Sequence, residues 1–157
     1  MRSKMMAGLA AGLIAGSVFG LGMHLMTAPT PEGGRMPMMA MVAKIVGSES
    51  LAVGWLYHLF NSAVIGVIFG WLLGDRVTTY GTGLGWGAVY GLAWWVLGGL
   101  VLMPLFLGMP VLAPLMMAEM RPVAMGSLFG HLVYGLVLGG CLIWLRSSAA
   151  RTAQRPA

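Results

Sequence analysis

Small residues recur at four-residue spacing through every long apolar stretch of this chain, and three of these ridges run into a histidine. The first ridge is Gly8, Gly12, Gly16, Gly20, His24. The second is Gly54, His58, Ser62, Gly66, Gly70, Gly74. The third is Gly83, Gly87, Gly91, followed by Trp95, Gly99 and Met103. The fourth is Ser127, His131, Gly135, Gly139. Residues four apart share one helix face. Small residues on such a face let backbones approach closely in a bilayer. The pattern therefore predicts close-packed membrane helices, with Gly8, Gly12, Gly16, Gly20, Gly66, Gly70, Gly87, Gly91, Gly135 and Gly139 as the packing residues.

Composition supports a lipid setting. The 157 residues have a mean hydropathy of +0.87 and are 8% charged. Soluble domains are about one quarter charged. One integral membrane domain, residues 1–157, is expected, with no sizeable soluble domain. Four stretches, near 5–26, 51–73, 84–107 and 123–145, are long enough to cross about 30 Å of hydrocarbon. The first is read as a retained helix rather than a cleaved signal, because it continues the glycine pattern of the later ones. The single cysteine, Cys141, excludes an internal disulfide and a multi-cysteine metal site.

The formal charge of +5 sits at the flanks and forms no basic stripe with interleaved aromatics, which argues against nucleic-acid binding. With both termini inside, Arg2, Lys4, Arg76, Arg146, Arg151 and Arg155 face the cytoplasm. Arg35, Lys44 and Arg121 face out, beside Glu32, Glu49 and Glu119. Six against three fits the positive-inside rule for a prokaryotic cytoplasmic membrane.

The chain also reads as two copies of a two-helix unit, about 5–74 and 80–145. A shift of 75 lays Gly8, Gly12 and Gly16 on Gly83, Gly87 and Gly91. A shift of 73 lays Gly54, His58, Ser62 and Gly66 on Ser127, His131, Gly135 and Gly139. Two crossings per copy make the repeats parallel. The expected fold is thus an all-α four-transmembrane-helix bundle of two parallel repeats. Short interfacial helices are expected in the two Met-rich outer loops, around 38–42 and 114–120.

Ionisable groups in membrane helices point to function. His24, His58 and His131 all fall in the outer half. One reading makes them helix-bridging hydrogen-bond groups, with Tyr57, Asn61, Tyr90 and Tyr134 as partners. The other gathers them with Met103 on copper or haem, since imidazole and thioether suit both. No spacing is specific to a metal, so no cofactor is the first expectation. All four acids lie in loops or at helix ends, and no catalytic constellation is visible. The chain is read as a non-enzymatic, multi-pass protein that acts by packing with itself or other subunits, as an accessory or assembly subunit of a membrane complex. A small transporter or channel subunit is the third reading.

The segments Gly54-Trp-Leu-Tyr-His58-Leu-Phe, Gly87-Ala-Val-Tyr-Gly91, Gly99-Leu-Val-Leu-Met103-Pro104 and Gly126-Ser-Leu-Phe-Gly130-His131-Leu-Val-Tyr134-Gly135 resemble an uncharacterised family of small four-helix prokaryotic membrane proteins. The resemblance covers nearly the whole chain. It implies the fold and the location, and brings no substrate and no functional residue.

Overall fold

The computed structural model describes residues 2–30 and 33–153. Glu32 and Arg155, both used in the charge count, lie outside the described residues, as do the side chains of Arg2 and Arg151. The chain is mostly helical. Helix α1 spans Arg2–Leu25. A two-stranded antiparallel hairpin follows, β1 Thr27–Pro29 and β2 Arg35–Pro37. Next come α2 Met38–Lys44, α3 Leu51–Leu73 and α4 Tyr80–Trp94. A π-helical run, Trp95–Leu102, leads into α5 Met103–Phe106. Helix α6 Ala113–Met116 and a 3-10 turn, Ala118–Met120, precede α7 Arg121–Ala153. Four helical stretches, at α1, α3, α4 through α5, and α7, are long and apolar enough to cross a membrane.

The expected spans shift at their ends for local reasons. The third begins at Tyr80, not near 84, because Thr79 caps it. Thr79 Oγ1 accepts from Thr82 N at 3.2 Å, and Thr82 Oγ1 accepts from Thr79 N at 2.9 Å. These bonds satisfy two amides that a helix start leaves free. The third span is also not one α-helix. Pro104 lacks an N–H and its ring crowds the carbonyl four residues back, that of Leu100. The turns before it widen to π geometry. The amide of Leu112, itself left-handed at φ 65°, returns to bond Leu100 O at 2.8 Å.

Helix α1 packs on α3 and α7, and α4 packs on α7. The glycine stripes make these contacts. A Cβ at Gly8 would come nearer than 3.0 Å to the Gly66 carbonyl oxygen. One at Gly12 would meet Ser62 O, and one at Gly70 would meet Lys4 O. On the other pair, Gly87 and Gly135 each meet the other's carbonyl oxygen, Gly139 meets Gly83 O, and Gly91 meets His131 O. Gly16 and Gly20 face side chains instead, Ser62 and Trp55.

One end of the helices gathers charge. Lys4 pairs with Asp75, and Arg146 Nη1 donates to Gly74 O and, at 3.1 Å, to Val77 O. Arg76 stands 5.7 Å over the Trp86 ring. At the opposite end lie the hairpin, α2, α5 and α6. The hairpin was not expected. Arg35 holds it, with Nε donating to Thr27 Oγ1 at 2.8 Å. Helix α2 is enclosed rather than apolar on one face: Met38 through Ala43 are all buried. Gly54 permits this, since a Cβ there would strike the Met39 carbonyl.

Candidate functional site

A cleft opens where α3 and α4 diverge. They meet at its inner end, where Tyr90 Oη donates to Ile65 O at 2.8 Å and the Phe69 and Tyr90 rings lie 5.0 Å apart. Toward the opposite end they separate around a cavity of about 350 Å³. Such a volume falls within the range of about 300–1,000 Å³ usual for small-molecule sites. Tyr57, His58, Asn61 and Ile65 of α3 form one wall. Trp94, Gly98, Gly99 and Leu102 of α4 and the π run, with Met103 and Phe106, form the other. Phe19, Ser127, His131 and Tyr134 make the floor, and Met38, Val42 and Ile45 the roof. The rim residues Val64 and Phe106 are 42% and 61% exposed, so the cleft opens sideways onto the apolar exterior.

The π run sets the second wall. Its wide turns and the adjacent pair Gly98-Gly99 leave space before the His131 ring. A Cβ at Gly98 would stand 4.0 Å from His131 Nε2, and one at Gly99 would stand 3.7 Å from His131 Cε1. π-helical turns concentrate at functional sites.

The structure brings His58, His131 and Met103 to this cavity and leaves His24 out of it. His24 is exposed near the end of α1, where its Nδ1 accepts from Trp55 Nε1 at 3.4 Å. His58 Nε2 lies 2.9 Å from Gly16 O, and His131 Nδ1 lies 2.8 Å from Ser127 O. Carbonyl oxygens only accept, so both ring nitrogens carry hydrogen and donate. In neutral rings the other nitrogens, His58 Nδ1 and His131 Nε2, keep their lone pairs. The Phe19 ring packs edge-on to both imidazoles, at 5.6 and 4.9 Å.

The hydroxyls expected to serve the histidines go elsewhere. Tyr134 Oη donates to Ser62 O at 2.8 Å, as Tyr90 does to Ile65 O. Ser62 Oγ already bonds His58 O at 2.8 Å, so this stretch of α3 carbonyls is heavily used. Asn61 and Tyr57 have no hydrogen-bond partner among the described residues, although both line the cavity. No lining residue is an acid, a lysine or an arginine. Among the described residues no group of three His, Cys, Asp or Glu could hold a metal.

Gly98 and the unpartnered state of Asn61 were not singled out from sequence. The signal available was Gly98 itself, a glycine that falls off the four-residue ridge through Gly99.

No family model matches the chain, and neither a curated protein nor a solved structure matches it.

Proposed function

We propose that this is a non-enzymatic, multi-pass protein of a prokaryotic cytoplasmic membrane, with both termini inside, that holds a small lipid-soluble molecule in the cleft between α3 and the π run. The observation that carries the reading is the cavity itself. The glycine crossings of α1 with α3 and of α4 with α7 are close enough to exclude a Cβ, yet here about 350 Å³ stays open beside two unpartnered polar side chains. Asn61 and Tyr57 leave polar groups open to the cavity, so a ligand that bonds them is favoured over a wholly apolar one. The sideways mouth gives a molecule dissolved in lipid a direct route. The glycine stripes are filled from within the chain, so a partner subunit would have to use another face.

The fold behind the cleft is read as a four-helix bundle of two parallel repeats, with its hairpin and short helices at the outer interface. The contacts themselves support the repeat. Gly8 on Gly66 corresponds to Gly83 on Gly139, and Gly12 on Ser62 to Gly87 on Gly135. Gly16 with His58 corresponds to Gly91 with His131. Within the first span of each copy the difference is the π run, which starts at Trp95, the counterpart of Gly20 in the unbroken α-helix α1. The cleft lies on that side.

Solvent extraction of protein purified in mild detergent tests the reading. A lipophile present at about one per chain is expected. A chain as free of lipid as a close-packed control helix bundle would overturn it.

A second reading has copper in the same place. The free lone pairs on His58 and His131 share the cavity with the thioethers of Met23, Met26, Met38 and Met103, and such ligands select Cu(I). It stands second because two imidazoles and neutral thioethers bring no charge to balance a cation. Metal analysis of the purified protein decides between them, and stoichiometric copper would displace the first reading.

A further inference from the structure

Resting on the cleft as a lipophile site, we infer the class of its occupant: an uncharged lipid that carries a hydroxyl group, with that hydroxyl donated to His131 Nε2. The tautomers dictate the donor. His131 Nδ1–H is committed to Ser127 O and His58 Nε2–H to Gly16 O. Each ring therefore offers an acceptor and no donor. A quinone or an ester brings only acceptors: its carbonyl could take a hydrogen bond from Asn61 or Tyr57, but it would leave His131 Nε2 without a donor. A hydroxyl fits, and its own oxygen can then accept from the Asn61 amide or the Tyr57 O–H.

Charge narrows the class further. A phosphate or carboxylate head needs a cation, and the cavity wall has no lysine or arginine. An ammonium head needs a carboxylate, and there is none there either. Apart from Ser62, Ser127, Tyr134 and the two glycines, the remaining lining is Met, Leu, Ile, Val, Phe and Trp, suited to an isoprenoid or alkyl tail that leaves past Val64 and Phe106. Gly98 provides the room in front of His131 Nε2.

Three probes with one tail test the head group: farnesol, farnesyl methyl ether and farnesoate, each titrated into full-length protein in nanodiscs. Farnesol is expected to bind about tenfold more tightly than the ether, the difference made by one hydrogen bond to an acceptor that faces the cavity. The variant His131→Phe should erase that preference. Gly98→Val, which leaves every polar group in place, should weaken farnesol and ether alike and so serves if the histidine variant does not fold. Ether or farnesoate binding as well as farnesol would overturn the hydroxyl assignment and leave the cleft as a site. If no probe binds, the solvent extract decides: a hydroxylated neutral lipid supports the assignment, and phospholipid or ester alone overturns it. No probe and no extracted lipid would bring down the reading of the cleft itself.

Discussion

Gly87 and Gly135 lie backbone to backbone, each with the other's carbonyl oxygen where a Cβ would have to be. Neither helix can carry a side chain at this crossing without moving apart. Gly87→Val should destabilise the protein by about 1–3 kcal/mol or prevent folding, the usual range for overpacking. Gly85 is two residues away with open space around it. There Gly85→Ala should be neutral or stabilise by up to about 1 kcal/mol through helix propensity. Reversible unfolding in bicelles measures both. Equal effects at the two sites would mean that the stripe is not a contact.

Tyr134 ties α7 to α3 through its hydroxyl on Ser62 O. Tyr134→Phe should cost about 1 kcal/mol. It should also raise the hydrogen exchange of α3 near Ser62 more than that of α1. Unchanged stability would place the hydroxyl outside the fold's energetics.

The fold was legible where hydropathy and spacing act alone. Leu51–Leu73 was placed to the residue, because an apolar run ends abruptly at Gly74-Asp75. The glycine stripes were legible because four-residue spacing leaves few other uses for so many glycines. The π run was not, since its cause is Pro104 acting on Leu100 from outside the periodic pattern. The enclosure of α2 was not, because Gly54 reads as one more step of a ridge and reveals its partner only in three dimensions. The cleft was the least legible. It arises where α3 and α4 fail to touch, and no residue type marks an absence of contact. Of the candidate site, His58, His131 and Met103 were found by rarity and spacing. His24 was grouped with them by sequence position, but while Met23 and Met26 beside it reach the cavity, His24 lies on another face of the helix end, exposed and bonded to Trp55.

The pairing of Lys4 with Asp75 makes stability depend on pH. The Lys4 ammonium, by hydrogen bond and charge, holds the Asp75 carboxyl below its ordinary value of 3.8. The folded state therefore binds fewer protons than the unfolded state in that range. The pair's contribution is fully present above about pH 3.8 and is lost as pH falls through the lower folded value. Thermal melts of wild type and Asp75→Asn should differ at neutral pH and converge in acid. The gap should also narrow with salt, because Asp75 is exposed. A gap that widens on acidification would contradict this pairing.

The proposed orientation puts Glu49 outside and Thr78 inside. In a Cys141→Ser background, Glu49→Cys should react with a membrane-impermeant maleimide on intact cells. Thr78→Cys should react only after lysis. The reverse pattern would invert the topology.

The native mass spectrum of the protein, released from its own membranes, bears most directly on the cleft. Wild type should fly with one bound neutral lipophile. Gly98→Val should fly without it, because the new side chain takes the space before His131, whereas Gly85→Val, on an open face, should keep it. A bare wild-type chain, or an adduct that survives Gly98→Val undiminished, would contradict the assignment of the cleft as the site where this protein holds its ligand.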